Sequence, residues 1–245
     1  MPEPTAVRRA ADLLQRSGKT VALTGAGVST ESGIPDFRGK NGLWSRFDPM
    51  EYGTIGAFGK DPKKVWRMLG ELLDLIEAKP NQGHLALAAM ERKGLLAGIV
   101  TQNIDGLHQK AGSSKVVEFH GSMAIFSCLA CGKSFPLARI RQLALPPLCP
   151  ECAEVLKPDV VFFDERIPAA ALSETEELLA GVDVLLVAGT SCQVVPASYI
   201  AGRVYRNGGR IIEINLEPAL GGFAEITLAA GFSKVMTQLL NALSK

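Results

Sequence analysis

The densest chemistry in the chain is a set of four thiols. Cys128-x2-Cys131 is followed, after 17 residues, by Cys149-x2-Cys152. That spacing fits a tetrahedral zinc site made of four thiolates. Four such ligands close the coordination shell and leave no position for a reactive water, so the ion they imply is structural. Gly132, Pro146, Pro147 and Pro150 supply the turns that such a site needs. A redox dithiol and a nucleic-acid zinc ribbon remain as other readings of the same pairs. The fifth cysteine, Cys192, reads as a small, partly buried thiol.

A second group of residues suits a nucleotide. Thr24-Gly25-Ala26-Gly27-Val28-Ser29-Thr30-Glu31-Ser32-Gly33 is a glycine-rich turn that can open a helix. Glycines let the backbone approach a pyrophosphate, and the first amides of a helix bind its charge. The match to G-x-G-x-x-G is imperfect, since Thr30 stands at the last position. No acidic residue closes a second strand about 20 residues on, where a dehydrogenase holds its ribose. A structural strand-to-helix turn is the alternative. Next, Gly33-Ile34-Pro35-Asp36-Phe37-Arg38-Gly39 sets an acid, an aromatic ring and a guanidinium side by side. Arg38 can pair with phosphate and Phe37 can shield a reactive cation. A solvated Asp–Arg pair on a surface loop is the plainer reading.

Gln102, Asn103 and Asp105 offer groups that can hydrogen-bond a carboxamide and ribose hydroxyls, and Asp105 can equally N-cap the next helix. His120, in Glu118-Phe119-His120-Gly121, is placed to accept a proton near neutrality, or simply to pack. His84 and His108, within or beside helices, read as packed residues. Gly189-Thr190-Ser191 and Asn215-Leu216-Glu217 each follow an apolar run. Ser191, Asn215 and Glu217 can bind an adenosine ribose and phosphate, or serve as turn and cap residues.

These groups need elements to hold them. The apolar runs 20–24, 97–101, 116–119, 159–163, 183–188, 210–215 and 226–229 read as strands. Helices are expected at 6–16 with Thr5 as N-cap, and at 61–78 from Val65, Met68, Leu69, Leu72, Leu73 and Ile76. Others are expected at 82–93 between Asn81 and Gly94, near 169–180, at 195–206 and at 233–242. Strands alternating with helices specify an α/β fold, a parallel sheet covered on both faces. Ligands bind beyond the carboxyl ends of such strands, where 25–38, 102–105, 189–191 and 215–217 all fall.

A chain of 245 residues, 47% hydrophobic and 21% charged, can bury a core without disulfides. Its net charge of +1, with Lys and Arg dispersed, argues against nucleic-acid binding through a basic face. Residues 1–9 lack a signal-peptide core, and no run reaches the roughly 18 apolar residues of a membrane span. A cytoplasmic protein without a membrane partner is expected, where paired cysteines more often mean metal than disulfide.

In order, GAGVSTESGIPDFRG, TQNIDGLH, FHG, the two Cys-x2-Cys pairs, KPDVVFFDE, GTS and INLE closely resemble the sirtuin family of NAD-dependent protein deacylases. The resemblance runs over nearly the whole chain. It implies a Rossmann-like NAD-binding domain of residues 1–38, 81–121 and 158–245. It also implies a small domain made of a helical insertion, 39–80, and a zinc-binding module, 122–157. NAD and an acyl-lysine peptide would meet in the cleft between them. Gly25, Ala26, Gly27, Asp36, Phe37, Arg38 and Trp44 match the family's cofactor loop. Gln102, Asn103, Ile104 and Asp105 match its ribose and nicotinamide pocket, and Gly189, Thr190, Ser191, Asn215, Leu216 and Glu217 its adenosine side. Val160, Val161 and Phe162 match the strand that pairs with the peptide by β-augmentation. Catalytic roles fall to His120, Asn103 and Asp105.

The implied reaction is lysine deacetylation. The acyl oxygen attacks C1′ of the nicotinamide ribose, nicotinamide leaves, His120 takes a proton from the ribose, and the acyl group ends on ADP-ribose. NAD is consumed and no hydride moves.

Three positions, in two places, depart from the family pattern. Desuccinylating sirtuins carry a Tyr and, three residues later, an Arg where this chain has Leu69 and Leu72. An apolar pair cannot neutralise a succinyl carboxylate, so acetyl and apolar acyl groups are the expected cargo. Asp164 stands where the family usually has Gly; it favours basic peptides if it faces them, and can equally face solvent. The rival readings are ADP-ribosyl transfer to protein, hydride transfer, and non-catalytic acetyl-lysine or zinc-ribbon binding. A base at His120 favours deacylation, whose second half needs one.

Overall fold

The computed structural model describes residues 3–244. Residues 1, 2 and 245, which begin and end the larger domain expected above, lie outside the described residues, as does the start of the stretch read for a signal peptide. The strands are β1 (Thr20–Thr24), β2 (Gly98–Thr101), β3 (Val116–Glu118), β4 (Gly121–Cys128), β5 (Ser134–Pro136), β6 (Leu156–Val160), β7 (Val184–Ala188), β8 (Arg210–Ile214) and β9 (Ile226–Leu228). The helices are α1 (Pro4–Arg16), α2 (Pro49–Tyr52), α3 (Ile55–Lys60), α4 (Pro62–Leu75), α5 (Gln82–Arg92), α6 (Leu107–Lys110), α7 (Leu137–Ile140), α8 (Ala169–Leu179), α9 (Tyr199–Arg206) and α10 (Phe232–Ala242). Among the described residues no helix is long and apolar enough to cross a membrane.

Six strands form one sheet in the order β3-β2-β1-β7-β8-β9, and every pairing is parallel. Alternation along the strands feeds two cores. Ala22, Leu186 and Ile212 face Leu14, Leu87 and Leu239 of α1, α5 and α10. Val21, Leu23 and Leu185 face Leu178 of α8 and Ile200 and Val204 of α9. A sheet covered on both faces has uniformly apolar strands, and β1, β2 and β7 are buried throughout. The chain builds outward from β1 to β3, then returns to β7 and builds the other way. This is a Rossmann-like switch point between β1 and β7, and sheets of this kind bind ligands in the crevice outside the carboxyl ends of their strands.

β4, β5 and β6 form a separate antiparallel sheet in the order β5-β4-β6. A third core joins it to the helices that follow residue 42. Leu43, Trp66 and Leu69 pack with Phe126, Ile140 and Leu156, and the Trp66 indole N–H donates to the Leu156 carbonyl at 2.9 Å.

Four expectations need correction. The run 159–163 is not a strand of the parallel sheet: β6 ends at Val160 and pairs antiparallel with β4. An apolar run marks a buried strand but not which sheet it joins. Thr5 does not cap α1; the helix starts at Pro4 behind Glu3, and the Thr5 hydroxyl donates to the Glu3 carboxylate. Pro at the first helical position lacks the N–H that a cap would satisfy. Asp61 caps α4 rather than belonging to it, accepting from the Lys64 amide at 3.0 Å. The helix expected from 195 starts at Tyr199, beyond Pro196. By contrast Asn81 caps α5 as expected, with His84 completing a capping box.

Candidate active site

The carboxyl ends of β1 and β7 are laced together. The Gly25 amide donates to the Ala188 carbonyl at 3.1 Å and that of Gly27 to Gly189 at 2.8 Å. A Cβ on Gly27 would lie 2.9 Å from Gly189 Cα, and one on Gly25 would lie 2.7 Å from Thr190 Cβ. Two strand-end loops therefore touch backbone to backbone, which requires these glycines before any ligand does. Residues Ala26–Ser32 form a 3-10 turn in place of the α-helix that the motif can open, closed by Gly33 at φ 87°.

Gln102 ties three strand ends to the histidine. Its amide donates to the Thr24 carbonyl at 2.9 Å and its side chain to Thr190 Oγ1 at 3.0 Å. Its carbonyl lies 3.2 Å from His120 Nδ1. With Nδ1 donating to that carbonyl, Nε2 keeps its lone pair. Burial lowers the His120 pKa below its ordinary value, opposed only in part by the bond to Gln102, so the ring is neutral at pH 7.

Beside Gln102 lies a polar floor. Ser29 donates to Asp105 Oδ2 at 2.7 Å and accepts from Asn103 Nδ2 at 3.1 Å. The other Asp105 oxygen takes the Leu107 amide at 2.9 Å, but the N-cap of α6 is Gly106, so Asp105 steadies the start of that helix from one residue earlier instead of capping it. Above the floor is a pocket, partly open to solvent, whose walls include Ile34, Phe37, Leu72, Leu75, Ile76 and Ile104.

The loop over this pocket is pinned by bonds from its backbone amides. Asp36 Oδ1 accepts the Gly39 amide at 2.8 Å, and the Trp44 amide donates to the Phe37 carbonyl at 3.0 Å. Trp44 stands behind Phe37, with ring centroids 5.3 Å apart, and is not among the pocket walls. Arg38 is exposed and forms no ion pair with Asp36 among the described residues.

At the far end, Asn215 is fully occupied. Its Oδ1 accepts the Thr190 amide at 3.0 Å, and its Nδ2 donates to the Thr190 carbonyl and to buried Glu213. Ser191, Leu216 and Glu217 are exposed on the rim. The amides of Val161 and Phe162 are engaged by the His120 carbonyl and Glu165 Oε2, and Val160 lies within β6. Leu69 is 1% exposed and sits in the third core, whereas Leu72 does line the pocket.

The four cysteine sulfurs lie within 4.8 Å of one another. Cys128 and Cys152 are 3.4 Å apart and Cys131 and Cys149 3.6 Å. Thiolates at the corners of a zinc tetrahedron are about 3.8 Å apart, so the donor set and its compactness fit one structural zinc. Each pair forms a matching knuckle, with Gly132 at φ 73° and Ala153 at φ 60° just after the second cysteine.

The Sir2 family model matches residues 25–196. The chain belongs to the Sir2 family. It is 44% identical over 237 residues to NAD-dependent protein deacylase 2 of Pyrobaculum aerophilum, covering 96% of this chain and 95% of the relative. It superposes with TM-score 0.90 and 40% identity on a Sir2 homologue solved with NAD, over 96% of this chain and 93% of that one. A Sir2 variant solved with a deacetylated peptide and 3′-O-acetyl-ADP-ribose matches with TM-score 0.90 and 34% identity, over 96% and 97%.

In this Sir2 chain several site residues escape sequence reasoning. Ser29 lies inside the glycine-rich run, where a serine passes as a turn residue, yet it joins Asp105 to Asn103. Leu75 and Ile76 join Leu72 on the pocket wall; their i+3 and i+4 spacing was the available signal. Thr190, already read on the adenosine side, adds contacts of its amide and hydroxyl that no local motif encodes.

Proposed function

We propose that this chain is an NAD-dependent protein-lysine deacetylase that transfers the acyl group to ADP-ribose with release of nicotinamide. The observation that carries this reading is the His120 imidazole, oriented through its Nδ1 by the Gln102 carbonyl so that Nε2 keeps its lone pair, one residue from the floor of Ser29, Asn103 and Asp105. Such a ring is a base, and deacylation needs one to take a proton from a ribose hydroxyl after nicotinamide has left. Asn103 and Asp105 orient the nicotinamide ribose. Phe37 covers its reactive face and excludes water, while Arg38 meets the pyrophosphate as a free cation. Gly25, Ala26 and Gly27 let the backbone come close to the dinucleotide.

On the adenosine side, Ser191 and Glu217 contact ligand from the rim. Asn215 acts through Thr190, since its own amide group is spent. Apolar Leu72, Leu75 and Ile76 receive the acyl side of the substrate and offer no partner to a dicarboxylic acyl group. The peptide lies along 160–164, using the backbone groups of that segment which remain unpaired. The larger domain holds NAD and the smaller one the zinc; Cys128, Cys131, Cys149 and Cys152 would hold that ion, and its closed shell gives it no part in the chemistry.

Incubation with NAD labelled in its adenosine moiety and an acetyl-lysine peptide tests the reading. The label is expected in a small acyl-ADP-ribose. Label that stays on protein would instead mean ADP-ribosyl transfer.

A further inference from the structure

The segment leading out of β6 is wound around a buried ammonium. The Lys157 side chain is 7% exposed. Its Nζ donates to the carbonyls of Val160 at 2.8 Å and Pro158 at 3.2 Å, and pairs with Glu165 Oε2 at 3.0 Å. Two backbone carbonyls thus accept from the ammonium, and the carboxylate balances its charge. The Phe162 ring lies 4.5 Å away on the cation. Desolvating an ammonium is costly, and well-packed apolar residues often serve stability as well as a buried ion pair does. The arrangement therefore suits a task of position.

What it positions is visible in three successive amides. The Val161 amide donates to the His120 carbonyl at 2.8 Å. The Phe162 amide is turned to the same Glu165 oxygen that holds Lys157, at 2.7 Å. The Phe163 amide donates to the Gly53 carbonyl at 2.8 Å, and the Ile55 amide returns to the Phe163 carbonyl at 3.1 Å. The segment thus spans from His120 to the helices after residue 48, and its middle amide is fixed through the ion pair.

We propose that Lys157 is a positioning residue: with Glu165 it sets the course of residues 158–165, and through the Val161 amide the placement of the peptide-facing edge relative to His120. This rests on the deacetylase reading. Lys157→Met keeps the stem and removes the charge. Glu165→Gln keeps an acceptor for the Phe162 amide and removes the ion pair. In each variant the KM for an acetyl-lysine peptide should rise about tenfold while the KM for NAD stays within about twofold. Hydrogen exchange at the amides of Val161, Phe162 and Phe163 should quicken while β1 and β7 stay protected. Lys157→Arg should recover most of the peptide KM.

Peptide KM and exchange at wild-type values in the folded variants would overturn the proposal. So would an equal rise in both KM values, which reports general loosening. If Lys157→Met does not fold, Glu165→Gln carries the same test. If the wild-type chain released no nicotinamide with the peptide, the deacetylase reading would fall, and the exchange measurement would still decide whether the ion pair sets this segment.

Discussion

At the switch-point crevice most buried polar side chains have protein partners: Ser29 with Asp105 and Asn103, Gln102 with Thr190, Asn215 with Thr190 and Glu213. In the cysteine module the four thiols have chiefly one another, and Cys131 and Cys152 are exposed. The crevice stands on two cores lining a six-stranded sheet. The module borrows its core, with Phe126, Ile140 and Leu156 packed on Leu43, Trp66 and Leu69. The two regions thus take their order from different sources. One is preorganised by hydrogen bonds among its own groups, so a ligand meets it ready made. The other depends on an ion.

The sharpest way to break this contrast is to remove the ion. Apparent zinc binding in four-ligand sites is worth about 10–16 kcal/mol, so a strong chelator, or Cys131→Ala, should abolish turnover. Hydrogen exchange should show protection lost across 122–157 and kept in β1, β2 and β7. Unfolding of both regions together would show that the crevice does not stand alone.

Acid should strike the other side. Burial lowers the pKa of His84 to about 4 and of His108 to about 3. Both rings therefore stay neutral in the fold and take a proton in the unfolded chain. Their contribution is complete above the unfolded value near 6.5 and is lost as pH falls from there toward 4 and 3. The loss is at most about 1.4 kcal/mol per pH unit for each ring. Urea midpoints at pH 7.5 and 5.5 should differ by about 2–3 kcal/mol of stability. A flat profile would mean that the rings find water or a partner.

Asn215→Ala sharpens the claim of preorganisation. It leaves the Thr190 amide and Glu213 short of a partner, at a cost of about 1–3 kcal/mol. Thermal midpoint should fall and the KM for NAD should rise, with the KM for peptide unchanged. The smallest effect belongs to Asp164, exposed at φ 68°. Asp164→Gly removes a left-handed strain and should stabilise by about 0.5–1 kcal/mol. It should also narrow any preference for basic over acidic acetyl-peptides, read as a ratio of kcat/KM.

Much of this was legible because it is local. TVALT marks β1 to the residue, Asn81 announces α5, and cysteine spacing foretells a cluster. What was not legible depends on partners far along the chain. The bond from Ser29 to Asp105 and the contact of Gly27 with Gly189 join segments that only the sheet brings together. Leu69 shares α4 with Leu72, yet the two point to a core and to a pocket, a difference set by the third core and not by spacing. The antiparallel place of β6 follows from its pairing with β4, which its apolar composition does not encode.

The role of His120 as the base that takes a ribose proton during acyl transfer from lysine is the step on which deacetylation turns. It is tested most directly by steady-state formation of free lysine peptide, with nicotinamide counted beside it, for the wild-type chain and His120→Ala. Both products should form one for one, only when NAD and acetyl-lysine peptide are present together. The substitution should lower kcat by about 10²–10⁴ while the thermal midpoint holds. Turnover in His120→Ala equal to that of the wild type, or nicotinamide release that ignores the peptide, would contradict the account.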